Sequence, residues 1–467
     1  MNTTGPHRPE CTKALVAMAA MVALYVVFQV VPLLANSQQN DFKHIYLGAV
    51  LMGQGASPYD AELMKETAFV FAAEDPRFRS ILPYVYLPFT GMVLWPLSLL
   101  PFHVAAVVWQ LCNHLFVAAG LALAACAGGW RWHWKSVLLV GGAVVVNATL
   151  YRQNNAGQLN AALLFGSGLL AVGLARGWKP MALGGIAAAL MLFKITPGIF
   201  LIWFLLAGRW RCAAWMVGWA VGLTLLSALI AGFGTHLEFL PVLADMGYGK
   251  STWAAEGMTF WRDPMNQSVN SLMHHLFVAA ESGRPWADLG PAAANGLTWL
   301  VSLALLGVFV FVTWKNRGTG FGPRQRATFA LAILTSLLVP SIMWDHYLVQ
   351  ALVAAALLWP ICGAKGRAAI VLAVAVFCIN FVVVEGRLIV GWAWPGRFAA
   401  AIAEWTGGGG EGLAALAQLS RPLVTFPADR GVGWLAMSLK LWPALGLFAL
   451  AALKSQTATQ SVAPEES

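Results

Sequence analysis

The fold class that the sequence predicts is an all-α polytopic membrane protein, and three observations predict it. Of 467 residues, 59% are apolar and only 10% are charged, whereas soluble domains carry about 25% charged residues. Apolar stretches near the roughly 20 residues needed for a bilayer crossing recur about a dozen times. Lys and Arg gather in five short loops, 128–135, 176–179, 208–211, 315–326 and 363–367, which together hold twelve of them and no Asp or Glu. Short loops of this kind stay cytoplasmic.

These inside loops order the chain. The N-terminal stretch 1–13, with Arg8 and Lys13, lies inside. The apolar run from Ala14 to Leu34 is too long for a signal-peptide core and lacks a clean cleavage site, so it remains as an anchor. Residues 84–127 must make one net crossing, and Pro88, Pro96 and Pro101 break their first half. A re-entrant or surface-lying piece followed by one full span satisfies both constraints. The pairs 136–151 with 159–175 and 180–193 with 195–207 each return to the same face. The second pair is short and meets below the membrane surface, with Lys194 near its turn. Spans at 212–233, 293–314, 328–342, 346–361, 368–384 and 431–453 then alternate. The expectation is a single transmembrane domain over 14–453 with about twelve helices. It has outer loops at about 36–83, 234–292 and 386–430, and a disordered cytoplasmic tail at 454–467.

The net charge of +9 is spread over short loops, which is a topology signal and argues against nucleic-acid binding. The six cysteines are scattered without a C-x-x-C, so neither a disulfide framework nor a zinc site is indicated. No cofactor is expected.

With this topology, seventeen of the twenty Asp and Glu fall outside, and so do five polar clusters at 40–44, 151–160, 193–197, 261–270 and 343–347. Scattered polar residues would divide between the two faces. A shared outer address points to one site.

Each cluster has a bland reading beside a functional one. In N-D-F-K-H, Asp41 stands at a helix exit, where a carboxylate is ordinarily a solvated end. A loop punctuated by Gly, Pro and Tyr runs on to Asp60, and an amphipathic stretch follows at 61–72. Such a loop can return along the membrane surface and half-bury Asp41, raising its pKa toward the range of a general base. Lys194 either snorkels from a nearby helix end or meets an anionic headgroup or phosphate. Asn155, Gln158 and Asn160, with Arg152 beside them, are satisfied either by protein groups or by a sugar, and both readings stand. Trp344 and Tyr347 fit an interfacial belt, but Asp345 beside His346 fits an oriented imidazole that offers charge or a hydrogen bond to a leaving group. Asn266 and Gln267, in a formal sequon near Arg262, are read as site lining. The sequon at 147–149 lies inside a span and is accidental. His274–His275 lacks partners at metal-ligand spacing.

The motifs then add up. D-F-x-x-x-Y-x-x-A (Asp41 to Ala49), G-x-x-P-Y-D (Gly55 to Asp60), Y-x-Y-x-P-F (84–89), W-P-L (95–97), N-x-G-Q-x-N (155–160), F-K-x-T-P (193–197), N-Q-S (266–268) and W-D-H (344–346) occur in that order. The ordered set resembles the polyprenol-phosphate-dependent mannosyltransferases of glycosyltransferase family 87. The resemblance implies a GT-C fold with a structured first outer loop and an active site on the non-cytoplasmic face. It also implies a polyprenyl-phosphate sugar donor, mannose by family habit, and a lipid- or glycan-linked acceptor. Asp41 matches the family's catalytic aspartate and His346 its W-x-H histidine. Tyr46, Tyr59 and Tyr86 stand in matching motifs and join the candidate substrate-binding residues. Two departures are visible: Y-L-P-F replaces a frequent double proline, and W-D-H-Y replaces the frequent W-x-H-H.

The expected function is inverting hexosyl transfer in a bacterial inner membrane, with Asp41 as base. Transporters and lipid-linked glycan flippases also hold charges at membrane depth, but they would carry polar residues on both faces and inverted repeats. An acyltransferase would want a nucleophile motif that does not stand out.

Overall fold

A computed structural model describes residues 8–35, 37–130, 132–261, 263–279, 285–318, 320–384, 387–391, 422–427 and 432–457. Helices dominate. Among the described residues, four helices are long and apolar enough to cross a bilayer alone: Thr12–Leu34, Phe102–Gly128, Trp210–Ala231 and Gly290–Lys315. A fifth crossing results if Trp134–Val145 and Ala148–Ala156, bent by 50° at their junction, are taken together.

The dozen separate spans expected from the sequence are therefore not seen as such. Several apolar stretches are divided by the same polar clusters that interrupt them in sequence. Asn147 ends one helix and caps the next, its side chain accepting from the Leu150 N–H. Lys194 breaks the run after Pro180–Phe193 with extended dihedrals (φ −156°, ψ 133°), and Pro197 follows in a 3-10 turn before Ile199–Leu206. Residues Asp345–Gln350 are a 3-10 turn ahead of Ala351–Leu358. The expected span at 431–453 is split into Val432–Met437 and Leu441–Thr457.

Residues 84–127 form the short helix Pro88–Ser98 and one 27-residue helix, Phe102–Gly128. The long helix starts after Pro101, which has no N–H to lose, and ends at Gly129 (φ 76°), whose N–H caps the carbonyls of Ala125 and Cys126. This helix packs on Asn160–Ala175 at very close range. A Cβ on Gly168 would stand 2.5 Å from the Gly120 carbonyl, so small residues set the separation.

Among the described residues, a small antiparallel sheet of Asn380–Val384, Arg387–Gly391 and Pro422–Pro427 departs from an all-α description. The span expected at 368–384 is corrected accordingly: helix Ala364–Phe377 stops, and β-branched residues Val382, Val383 and Val384 continue as strand. Most of the outer loop expected at 386–430 lies outside the described residues.

Candidate active site

The segment 37–101 between the first two long helices is an ordered unit. Its helix Asn40–Gly53 buries Phe42 and Tyr46 against Phe78, Phe102 and Trp109, with Phe42 stacked on Trp109 (centroids 5.9 Å apart, 14° between planes). Of the charged and imidazole groups crowded at 41–44, two staple this unit together. Lys43 Nζ donates to the carbonyls of Arg77 (2.8 Å) and Ser80 (2.6 Å), and His44 Nε2 accepts from the Leu82 N–H (2.8 Å). Burial first, and then the neighbouring Lys43, push the His44 pKa down to about 3, so the ring stays neutral.

Asp41 faces the other way because the start of its helix is pinned. Gln39 adopts a left-handed conformation (φ 49°), fully buried, with its N–H on the Asn155 carbonyl (2.8 Å) and its amide on Gln110 Oε1 (2.6 Å). The chain fits there only against Gly157 (φ 69°). A Cβ at that position would collide with the Gln39 side chain and lie 2.6 Å from Phe42 Cβ.

Asp41 thus meets residues from three other parts of the chain. His346 Nε2 lies 3.9 Å from Asp41 Oδ2 and has no hydrogen-bond partner among the described residues. Lys194 and the Gln158 amide stand alongside. Asp41 keeps a quarter of its side-chain surface open (25%) and His346 about half that share (13%). Enclosure raises the Asp41 carboxyl above its ordinary pKa, although His346, Lys194 and Gln158 pull in the opposite direction.

Lys194 Nζ sits 3.1 Å above the Tyr347 ring and donates to Asn160 Oδ1 (3.3 Å), which also accepts from Gln350 (3.3 Å). Gln158 donates to the Tyr86 hydroxyl (3.0 Å). Arg152 NH1 reaches Asp345 Oδ2 (2.9 Å), while its NH2 holds Asn380 Oδ1 (2.6 Å) and the Phe381 carbonyl. Asp345 Oδ1 faces His346 Nδ1 at 3.6 Å. Trp344 stacks on Trp253 (6.4 Å, 17°), whose indole N–H reaches the Pro83 carbonyl.

Five further candidate residues from the sequence have polar atoms bonded to protein groups. Tyr46 donates to the Leu100 carbonyl (2.8 Å) inside the aromatic core of the 37–101 unit. Tyr59 donates to the Tyr86 carbonyl. Asn155 exchanges hydrogen bonds with Gln38 and so anchors the approach to Asp41. Asn266 accepts from the N–H groups of Ser268 and Met343 and donates to the Phe260 carbonyl, in a β-bridge with Trp344. Gln267 donates to the carbonyls of Pro264 and Met437 and accepts from the Lys440 N–H. The sequon side chains thus clamp the 343–346 segment through backbone groups. His274 is held by Asn295 (2.9 Å) and lies against Trp261. Arg262 lies outside the described residues.

Two groups at this site escaped the sequence reading. Asp263, caged near His346, Arg152 and Asp345, was hidden in a cluster read for its amides. Lys440 is fully buried, with Nζ on Thr149 Oγ1 (2.8 Å) and Asp345 Oδ2 (3.1 Å). A lysine within an apolar run was the available signal, the same one that singled out Lys194.

The family described as Glycosyltransferase family 87 matches residues 84–344. Two relatives carry the name polyprenol-phosphate-mannose-dependent alpha-(1-2)-phosphatidylinositol pentamannoside mannosyltransferase. The one from Mycolicibacterium smegmatis is 24% identical over 400 residues, covering 84% of this chain and 84% of the relative. The one from Mycobacterium tuberculosis is 25% identical over 332 residues, covering 70% of this chain and 65% of the relative. No solved structure matches.

Proposed function

The chain belongs to glycosyltransferase family 87, and from that premise we propose that it transfers a mannosyl group from a polyprenyl phosphate to a hydroxyl of a lipid-linked glycan. The observation that carries the mechanism is Asp41 facing the unpartnered Nε2 of His346 across 3.9 Å, with Lys194 beside them. Asp41 takes the proton from the acceptor hydroxyl as its oxygen attacks the anomeric carbon. The bond to the phosphate oxygen breaks, and the leaving phosphate is met by positive charge from Lys194 and by His346 as hydrogen-bond donor. Asp345 is locked between Arg152 and Lys440, whereas the Asp41 carboxylate faces His346. A single displacement with one base inverts the anomeric centre. Arg152 acts through Asp345.

The relatives' shared name supports mannose as the sugar and a phosphatidylinositol mannoside as the acceptor class. A GT-C architecture goes with the reading, as does a bacterial plasma membrane with the site turned away from the cytosol, where no nucleotide sugar is available. The transporter alternative gives no account of a base aimed at an imidazole.

The test is incubation of membranes containing the chain with radiolabelled polyprenyl-phosphate mannose, GDP-mannose or other polyprenyl-phosphate hexoses, followed by analysis of the lipid products. Label entering lipid from the polyprenyl donor alone is the expected result. Direct use of the nucleotide sugar would remove the donor assignment. Lys194→Ala is expected to raise the donor KM about 10- to 100-fold, since a charged hydrogen-bonding contact contributes roughly 1.5–3 kcal/mol, while the acceptor KM changes little. Equal weakening of both substrates would detach Lys194 from the phosphate.

Orientation is tested at Phe69, 81% exposed on helix Ala61–Phe71. Phe69→Cys is expected to react with an impermeant thiol reagent added to spheroplasts. Reaction only after lysis would invert the proposed topology.

A further inference from the structure

The geometry points to Lys440 as a positioning residue for transfer: its ammonium fixes one oxygen of Asp345 so that the other stays on His346. This rests on the reading of His346 as the group that meets the leaving phosphate.

Two separate pieces of chain converge on Asp345, which is 1% exposed, and on its neighbour His346. Arg152 comes from helix Ala148–Ala156, His346 follows Asp345 in its own 3-10 turn, and Lys440 ends the break between Val432–Met437 and Leu441–Thr457. Both cations take the same oxygen, Oδ2, at 2.9 Å from Arg152 NH1 and 3.1 Å from Lys440 Nζ. Oδ1 faces His346 Nδ1 at 3.6 Å and has no hydrogen-bond partner among the described residues.

That division of labour needs Lys440. Arg152 holds Asp345 through NH1 alone, its NH2 being taken by Asn380 and Phe381, so without Lys440 the carboxylate pivots on a single contact, turns about its terminal torsion and draws Oδ1 toward NH1. His346 then loses the group that orients it and that supports positive charge on its ring. The Lys440 ammonium, anchored on Thr149 Oγ1, holds Oδ2 from another direction and opposes that turn. The backbone at 440 is tethered independently, its N–H on Gln267 Oε1 (2.9 Å). A substitution therefore removes the side-chain contact and keeps the chain in place. Gln267 itself reaches 440 from the N-Q-S segment, so this motif of the sequence serves the arrangement at one remove.

The experiment is a double-mutant cycle between Lys440→Met and His346→Ala, measured as mannosyl transfer from radiolabelled polyprenyl-phosphate mannose to a phosphatidylinositol mannoside, with kcat and donor KM determined separately. Lys440→Met is expected to lower kcat about 10- to 100-fold, the scale of a catalytic group displaced by about 1 Å, with donor KM within about twofold. In the His346→Ala background the same substitution is expected to cost less than about twofold more, because there is no longer an imidazole to position. A loss of equal size in both backgrounds would assign Lys440 to the fold alone and overturn the inference, as would an unchanged kcat or a rise in donor KM by itself. Wild-type kcat in His346→Ala alone would instead remove the reading of His346, and the inference with it. If Lys440→Met does not accumulate, Lys440→Gln, which keeps donors for Thr149 and Asp345 without the charge, takes its place in the cycle. Failure of both to accumulate makes Lys440 a folding residue and ends the proposal.

Discussion

Asp41→Asn leaves the protein folded in the membrane and lowers mannosyl transfer by about 10²- to 10⁴-fold, the range a positioned base contributes. The substitution is nearly isosteric. The architecture that presents position 41 is built from Gln39, Phe42, Lys43 and His44, none of which uses the Asp41 carboxylate. A loss of activity with unchanged thermal stability is therefore the signature. Donor KM should change by much less than kcat, since the carboxylate acts on the acceptor hydroxyl. The unsubstituted protein should show the matching pH dependence. Asp41 works only when ionised, so activity falls as pH drops through its pKa. Enclosure has raised that pKa, which moves the acidic limb above the pH at which an ordinary aspartate would titrate, and Asp41→Asn should abolish the limb along with the rate. Retained transfer in Asp41→Asn would take the base away from this residue.

Asp345→Asn is expected to act on stability at least as strongly as on rate. Asp345 is the anion between Arg152 and the fully buried Lys440, and Asn preserves its shape but not its charge. Removing one partner from a buried ion pair costs about 3–5 kcal/mol, because the remaining charge is left uncompensated away from water. The expected result is a marked fall in the thermal midpoint in detergent. Combining it with Lys440→Met should return part of that loss, since the double variant no longer buries an unmatched ammonium. An unchanged midpoint for Asp345→Asn would mean that water or another carboxylate, with Asp263 the nearest candidate, already neutralises the cations. The two predictions separate cleanly: position 41 governs chemistry without stability, whereas 345 governs both.

Much of this was legible in the primary structure because a bilayer makes polar residues conspicuous. Against apolar runs, NDFKH, YRQNNAGQLN, FKITP and MWDHY stand out, and each does contribute a side chain to the arrangement around Asp41 and His346. What the pattern did not resolve was the direction each side chain takes. Tyr46 and Asp41 share a motif, but a helix turns about 100° per residue, which sends Tyr46 into the aromatic core and Asp41 to the gap. Asn266 and Gln267 look like ligand-binding amides in sequence, yet backbone groups from 260, 343, 437 and 440 already take up their hydrogen-bonding capacity. Segmentation was legible only in part, for a related reason. The break at Lys194 was expected, but counting apolar residues cannot see that a chain stops being helical at Asn147 or at 438–440, where side chains and tertiary partners satisfy the freed backbone.

The sequence alone determined that the chain is a helical membrane protein, which family it resembles, and which polar clusters matter, because hydropathy and charge act locally and leave their mark on consecutive residues. Only the tertiary structure decided that Asp41 confronts His346, that Asp345 stands between two cations, and that Lys440, nearly a hundred positions further along, is one of them. Those pairings join residues distant in the chain, and the low dielectric that makes each of them strong exists only once the helices have closed around them.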